Sequence, residues 1–299
     1  MYRSILVPLD GSLPSEQSLP YAAALARRSG APLQLVYVHT PLILGEGVMY
    51  LGMPDIQLWE EEKNYLLKVV DRLKKAGLEK VSADLLEGTI AETLQEYALG
   101  KGCDLVVMTT HGRGPVSRFW LGSVADQLVH RLPAPLLLIR TREEENPPAA
   151  EPEIRNVLVA LDGTPTAEQI LRPAGELAKS QGASLTLLRV VPWAAPRGVP
   201  KGAAPDHLIV DKVWAEAHVY LRRVADSLRD QGFAVQVRIL AHAHPATAIL
   251  NEAASGDYDL LALETHGRRG LPRLFLGSVA DKVVRGATLP VLLHRCLPD

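Results

Sequence analysis

The sequence has few of the features that would indicate a disulfide-stabilised, membrane-spanning or disordered protein. Its 299 residues include only two cysteines, Cys103 and Cys296, in neither a CxxC pair nor a Cys/His spacing typical of metal sites. We therefore expect reduced, buried thiols. No apolar run approaches the ~18 residues that a membrane-spanning helix needs. The composition, 47% hydrophobic and 22% charged, is typical of a globular chain.

The chain also has little net charge, −2 at pH 7, and therefore no general attraction to nucleic acid or to anionic lipid. We expect neither nucleic acid nor a membrane as a partner. The first apolar run begins at Ile5, which leaves no room for a signal peptide ahead of it. Together these observations predict a cytoplasmic protein.

Several signatures of catalysis are missing. There is no GxxxxGK[ST] phosphate loop and no G-x-S-x-G nucleophile turn, and Gly112-Arg-Gly114 lacks the third glycine of a dinucleotide fingerprint. No pair of carboxylates at helical spacing suggests a glycosidase-type hydrolase. His242 and His244 have no further ligands nearby in sequence, so a surface loop is favoured over a metal site. We predict no catalytic residues and no metal site.

The chain contains the same module twice. The run that begins at Ile5 (ILVPLDGS) recurs at Val157 (VLVALDGT). Residues 104–140 are identical to residues 259–295 at 18 of 37 positions without a gap. A repeat of about 150 residues is a whole domain rather than a solenoid unit. The sequence therefore predicts two domains of the same fold.

A different kind of sequence separates the two copies. Residues 141–153 contain one Arg and five Glu, several prolines and no large apolar side chain. Acidic, proline-containing stretches of this kind are typical of extended linkers. We therefore place the first domain at 1–140, the linker at 141–153 and the second domain at 154–299.

Each copy alternates strand and helix patterns. In the first copy, short apolar runs predict five strands, at 4–9, 33–38, 81–86, 105–109 and 136–139. Apolar residues at helical spacing predict helices after Ser12 and at 59–76, 89–98 and 123–131. Strands that alternate with helices form a parallel sheet with helices on both faces. We predict an α/β fold of two tandem doubly wound domains.

Two connections are longer than the ~2–6 residues that are usual in such domains, at 40–58 and 192–211. The first is rich in apolar residues and contains three glycines, whereas the second is rich in proline and more polar. We expect the first to cover the candidate site of its own domain or to pack on the neighbouring domain.

Ligands of an open parallel sheet bind beyond the carboxyl ends of the strands. The strongest anion signal at that edge is Gly122-Ser123, where free N–H groups and the dipole of a starting helix favour negative charge. Ser123 and Asp126 also fit a simple capping arrangement. His111 fits either a phosphate contact or a loop histidine bonded to a carbonyl. Asp10 fits either a contact to adenosine or an ordinary Asp-Gly turn.

The pattern formed by His111-Gly112, nine residues and Gly122-Ser123 resembles the universal stress protein family. The ATP-binding members of that family carry G-x-x-G, nine residues and G-[S/T]. The opening V-P-L-D-G-S and the later G-S-V-A-D are also similar to that family. Because spacing, order and strand context agree in both copies, the chain is identified as a tandem member, with nearly everything outside the linker covered.

The resemblance implies domains of five parallel strands and four helices, similar to the adenine nucleotide alpha hydrolases. Each would bind ATP or another adenine nucleotide, with Mg²⁺ where the phosphates carry it, at the carboxyl edge of the sheet. In the first copy the nucleotide would contact Pro8, Asp10, Val38, Met108, Thr109, His111, Gly112, Gly122, Ser123 and Val124. The matching positions of the second copy are Asp162, Val190, Leu263, Glu264, His266, Gly267, Gly277, Ser278 and Val279.

Both copies depart from the family pattern at the first glycine, which is Thr109 in the first copy and Glu264 in the second. Thr is small and uncharged, whereas Glu is longer and anionic. We therefore expect the first copy to be the better ATP site, and binding in the second copy stays open. The resemblance implies a stress-response sensor or interaction module, and whether bound ATP is slowly hydrolysed stays open.

The alternatives to this function are an interaction scaffold and an ATP-using enzyme of related fold. An interaction scaffold with vestigial sites is favoured by the substitution of both first glycines. An ATP-using ligase or nucleotidyl transferase of related fold would show S-G-G-x-D-S or H-x-G-H, and neither is present. Because the family commonly dimerises, the resemblance also implies an internal pseudo-dimer through the last strands, 136–139 and 290–294, and two chains could pair further as a homodimer.

Overall fold

The chain divides into two compact units, Met1–Glu153 and Ile154–Asp299, which we call unit 1 and unit 2. The structure is a computed structural model. It describes residues 2–41, 43–44, 48–49, 53–110, 121–132, 134–141, 151–192, 207–265 and 276–295. Most of the predicted linker, residues 142–150, therefore lies outside the described residues.

Unit 1 is a parallel sheet whose strands alternate with helices. Its elements are β1 (Ile5–Leu9), α1 (Leu13–Glu16), α2 (Leu19–Ser29), β2 (Leu33–His39), β3 (Ile43–Leu44), β4 (Val48–Met49), α3 (Met53–Lys75), β5 (Val81–Glu87), α4 (Ile90–Gly100), β6 (Leu105–Thr109), α5 (Ser123–Arg131) and β7 (Leu136–Ile139). Five strands pair in parallel in the order β7-β6-β1-β2-β5. The short strands β3 and β4 pair only with each other, antiparallel.

Unit 2 repeats this architecture. Its elements are β8 (Asn156–Ala160), α6 (Pro165–Glu168), α7 (Leu171–Gln181), β9 (Ser184–Pro192), α8 (His207–Asp230), β10 (Val235–His242), α9 (Pro245–Ser255), β11 (Leu260–Glu264), α10 (Ser278–Gly286) and β12 (Val291–His294). The strands pair in parallel in the order β10-β9-β8-β11-β12. The predicted fold class, two tandem doubly wound α/β domains, is confirmed.

The central strands are apolar because both of their faces are covered. Successive residues of β2 face opposite sides of the sheet: the ring of Tyr37 meets that of Tyr65 in α3, whereas Val36 and Val38 line a cleft that Leu94 of α4 also lines. Strands buried in this way show continuous apolar runs instead of alternation. This is why the runs in the sequence indicated strands correctly.

The two longest helices begin earlier than the sequence prediction. The helix α3 begins at Met53, six residues before the predicted start at Trp59, and α8 begins at His207. The predicted long connections are therefore shorter at their carboxyl ends, and most of what remains of them lies outside the described residues. Ser12 is an N-cap, as predicted, but it caps the short α1, and α2 follows after a break.

One buried polar cluster lies in the apolar interior of unit 1. The ring of His39 places Nδ1 2.7 Å from Oε2 of Glu62 and Nε2 3.3 Å from Oδ1 of Asp55, and all three side chains are buried. Both carboxylates belong to α3, so the cluster ties the beginning of that helix to the end of β2. The positions in unit 2 that correspond to His39 and Glu62 are the buried apolar residues Val191 and Ala217.

Candidate functional site

A cleft of about 220 Å³ opens in unit 1 at the carboxyl edge of the sheet. It lies where β1 and β6 are neighbours, the point at which the strand order reverses and ligands of such sheets bind. The cleft brings together eight predicted residues, Pro8, Asp10, Val38, Met108, Thr109, Gly122, Ser123 and Val124. They come from the ends of three strands and the start of α5. The other two predicted residues, His111 and Gly112, lie outside the described residues.

About half of the residues that line the cleft were not predicted from the sequence. The rest of the cleft is formed by Leu9, Ser15, Val36, Ile90, Leu94, Thr110 and Ala125. The sequence contained two signals for these residues. Val36 shares a face of β2 with Val38, because side chains alternate along a strand. Ile90 and Leu94 are four residues apart on α4 and therefore share a face of that helix. Ile90 is 38% exposed at the edge of the cleft.

Asp10 has a structural role of its own in the loop after β1. Its Oδ1 accepts hydrogen bonds from the backbone N–H of Ser12 at 3.0 Å and from the hydroxyl of Ser12 at 2.6 Å. Gly11, between them, has φ +79°, a conformation that favours glycine. The turn that sequence analysis offered as an alternative is therefore formed. Asp10 also lines the cleft, so the two roles are compatible.

The helix α3 contacts α1, the short helix that follows this loop. Glu16, buried at the end of α1, forms an ion pair with Arg72 at 2.5 Å. Burial raises the pKa of the Tyr65 phenol far above its usual value, and the neighbouring Glu16 carboxylate raises it further. In unit 2 Glu168 and Tyr220 occupy the matching positions, but the ion pair, at 2.6 Å, is made by Arg223, one helical turn before the counterpart of Arg72.

The start of α5 lines the cleft, and the first backbone N–H groups of a helix have no intrahelical partner. The N-cap is Gly122, without a side-chain capping bond, and Ser123 is the first helical residue. Ser123 is therefore not at the N-cap position that the capping arrangement with Asp126 places it in. Gly122 donates its own N–H to the carbonyl of Thr110 at 2.8 Å. The amides of Ser123, Val124 and Ala125 precede the first intrahelical bond, that of Asp126 N–H to the carbonyl of Gly122 at 2.8 Å, and amides in that position are suited to an anion.

Unit 2 keeps the same framework at the matching positions. Oδ1 of Asp162 accepts from the backbone N–H of Thr164 at 2.9 Å and from its hydroxyl at 2.7 Å. Gly277 is the N-cap of α10 and donates its N–H to the carbonyl of Thr265 at 2.9 Å. Ser278 and Val279 begin the helix, and Val190 and Leu263 lie near the ends of β9 and β11. The predicted His266 and Gly267 lie outside the described residues.

Unit 2 differs from unit 1 at Glu264. Its carboxylate is buried and accepts from His294 Nδ1 through Oε2 at 2.7 Å. Its Oε1 accepts from the backbone N–H of Thr265 at 3.0 Å and from the Thr265 hydroxyl at 3.3 Å. The corresponding residues of unit 1 are Thr109 and Ile139. A neutral pair on neighbouring strands is thus replaced by an acid and a histidine.

Among the described residues, no group of three or more His, Cys, Asp and Glu side chains is arranged to hold a metal ion. His242 accepts the backbone N–H of His244 through its Nδ1 at 2.9 Å, an arrangement typical of a loop. In the same part of the chain, no helix is both long enough and apolar enough to cross a membrane. Cys103 is buried, and burial raises the pKa of its thiol.

The fold and the cleft define a protein of two tandem α/β domains in which strand ends and a helix start surround a candidate ligand site. The sequence model of the universal stress protein family matches residues 1–140 and 153–295. The chain belongs to the universal stress protein family, and its predicted tandem membership is confirmed.

Known relatives extend over the whole chain. Universal stress protein Rv2005c from Mycobacterium tuberculosis is 28% identical over 301 residues, which cover 97% of this chain and 96% of that protein. The crystal structure of a universal stress protein from Archaeoglobus fulgidus has a TM-score of 0.71 and 20% identity, covering 98% of both chains. A universal stress protein in complex with cAMP matches 47% of this chain and 99% of its own, at 25% identity and a TM-score of 0.38. That last similarity is too low to carry an argument about this chain.

Proposed function

We propose that the cleft of unit 1 binds an adenine nucleotide, ATP in the first place. The protein would act in the cytoplasm as a nucleotide-responsive sensor or interaction module of the stress response, without a catalytic residue of its own. The observation that supports this most is that eight residues, predicted from four separate segments of sequence, line a single cleft. The cleft lies at the switch point of the sheet, where ligands of doubly wound folds bind.

The walls of the cleft suit the base and ribose. Val36, Val38, Met108, Ile90 and Leu94 supply apolar contact area of the kind that lines most small-molecule sites. The volume of about 220 Å³ is below the roughly 300–1,000 Å³ of a site that encloses a drug-sized ligand. A nucleotide would therefore place its adenosine in the cleft and extend its phosphates out of it. Asp10 would accept a hydrogen bond from the ribose or the adenine amino group.

The start of α5 suits the phosphates. The amides of Ser123, Val124 and Ala125, with the dipole of the helix, favour negative charge at this point. The hydroxyl of Ser123 adds a donor that phosphate oxygens accept. Mg²⁺, which proteins commonly hold through the phosphates of a bound nucleotide, would accompany ATP.

A scaffold that binds partners without a nucleotide is the second candidate, and unit 2 supports it. Glu264 places a carboxylate one residue from Thr265, which anchors the start of α10. A negative charge so close to that helix start opposes a phosphate. Unit 2 would then serve the protein mainly as a binding surface.

The experiment that separates these functions uses protein purified without added nucleotide. The protein is denatured, and mass spectrometry of the supernatant measures adenine nucleotides per chain. We expect close to one nucleotide per chain, or binding of added ATP where the purified protein has lost it. If the chain releases none and binds no added ATP, the scaffold is the correct function.

A further inference from the structure

The cleft of unit 1 has two chemically different sides. The residues that β2 and α4 contribute to it are all apolar, namely Val36, Val38, Ile90 and Leu94. The residues at the end of β6 and the start of α5 include three with a hydroxyl group, namely Thr109, Thr110 and Ser123. In the sheet β1 pairs with both β2 and β6, so the two sides of the cleft lie on either side of β1. A base is therefore expected on the apolar side and phosphates on the other.

Ile90 differs in exposure from the other apolar residues on its side of the cleft. Val36, Val38 and Leu94 are buried, so they have little surface left for a ligand to cover. Ile90 is the first helical residue of α4 and is 38% exposed at the edge of the cleft. A ligand that reaches this edge removes apolar area of Ile90 from water, which favours its binding.

We propose that Ile90 makes the cleft of unit 1 select a purine nucleotide over a pyrimidine nucleotide. This inference rests on the proposed function. It identifies a residue that determines the specificity of that site, and it accounts for the large apolar side chain exposed at the edge of the cleft. The matching residue of unit 2 is Pro245, so unit 2 lacks this determinant.

The preference follows from the reach of the base. With the phosphates beside the start of α5, the base lies on the apolar side of the cleft and extends towards α4. A purine extends farther from the ribose than a pyrimidine does, because it has a second ring. The purine therefore covers Ile90, whereas the pyrimidine leaves much of that side chain in water. The larger apolar area removed from water gives the tighter binding.

The proline of unit 2 supplies a test variant that the fold accommodates. Pro245 is the first helical residue of α9, as Ile90 is of α4, and the residue before each has an extended backbone. Proline is favoured at this position because the N–H there has no intrahelical partner. Thr89, with φ −74° and ψ 116°, has a conformation that precedes proline readily. Ile90→Pro should therefore fold normally while it replaces the branched side chain by a compact ring.

The test measures the affinities of ATP and CTP for full-length proteins by calorimetry. The two nucleotides share the ribose, the triphosphate and an amino group on the base, so their comparison isolates the size of the base. The unmodified chain is compared with Ile90→Pro, with Ile90→Ala as a second truncation and with Ile90→Leu, which keeps an aliphatic side chain of the same size. Leu99→Ala is the control, because Leu99 is exposed on the same helix but does not line the cleft.

We expect the unmodified chain to prefer ATP, and both truncations to reduce that preference about fivefold by weakening the binding of ATP. Ile90→Leu and Leu99→Ala should keep the preference. Equal affinities of the unmodified chain for ATP and CTP would overturn the inference, and so would truncated variants that are folded by circular dichroism and keep the preference. These results leave the proposed function standing, because that function fails only if the unmodified chain binds no ATP.

Discussion

Gly122 donates its backbone N–H to the carbonyl oxygen of Thr110 at 2.8 Å, and Gly277 repeats this bond with Thr265 at 2.9 Å in unit 2. The bond fixes the start of each helix to the end of the strand before it. It also uses the amide of the glycine, so the donors left for an anion are those of the first three helical residues. In the proposed nucleotide site, the glycine would therefore leave space and the residues after it would donate.

Ser123→Pro tests the donor directly. Proline is favoured at the first helical position because its missing N–H has no intrahelical partner there, and Gly122 has the extended backbone that precedes proline readily (φ −59°, ψ 149°). We expect unchanged thermal stability and an ATP affinity about tenfold weaker, since one charge-assisted hydrogen bond is lost. Affinity is measured by calorimetry, with Ser123→Ala, which keeps the amide, as the matched control. Equal affinities for the two variants would contradict the assignment.

Asp10→Ala tests the adenosine end of the cleft. The change removes the acceptor of both Ser12 hydrogen bonds, so the turn should lose about 1 kcal/mol of stability. Binding of adenosine and of ATP should weaken by the same factor, because Asp10 is placed beside the nucleoside and not the phosphates. Asp162→Ala, in the other unit, is the control and should leave binding in unit 1 intact. If the binding of ATP weakened and that of adenosine did not, Asp10 would lie beside the phosphates, which would contradict the prediction.

The cluster of His39, Asp55 and Glu62 predicts strongly non-additive effects on stability. Glu62→Ala alone leaves a buried ring nitrogen without its carboxylate and should cost about 2 kcal/mol. Replacing all three residues by their unit 2 counterparts, His39→Val, Asp55→Val and Glu62→Ala, removes the polar groups together and should cost less than the single change. Urea unfolding measures both. A triple variant less stable than Glu62→Ala would show that the cluster contributes net stability.

Association through the last strands stays a prediction. Residues 136–139 and 290–294 are short and apolar, and an unpaired strand of this kind promotes pairing with another chain. A polypeptide of residues 1–140 should therefore dimerise, which light scattering over a range of concentrations would detect. The full-length chain is the reference, and a polypeptide that stays monomeric at high concentration argues against this mode.

Much of the fold was predictable because its signals are local. Buried strands appear as apolar runs, Gly30 ends α2 in the left-handed conformation expected of such a glycine, and the duplication is visible by direct alignment. The start of α3 was missed because the apolar residues before Trp59 were assigned to the long connection, whereas the first turn of the helix contains Asp55, which contacts His39. That contact joins two elements and leaves no local pattern.

The candidate site was predictable where it consists of strand ends and helix starts. Its other side was not, because Ile90 and Leu94 reach the cleft only through the packing of α4 on the sheet. The pairing of Glu264 with His294 was missed for the same reason: the two residues are thirty apart and meet through strand register. Aligning His294 with Ile139 would have suggested it, since both members of the pair change together between the copies.

The most direct test of nucleotide binding in unit 1 is a calorimetric titration of ATP into three proteins: the unmodified chain, Gly122→Val and Gly277→Val. The backbone of both glycines is extended, so valine meets no backbone strain there, and we expect its side chain at position 122 to fill the space beside the proposed phosphate donors. We predict that Gly122→Val makes the free energy of ATP binding less favourable by more than the roughly 1 kcal/mol of an ordinary substitution. Gly277→Val should leave ATP binding in unit 1 unchanged. An affinity in Gly122→Val equal to that of the unmodified chain would contradict the account.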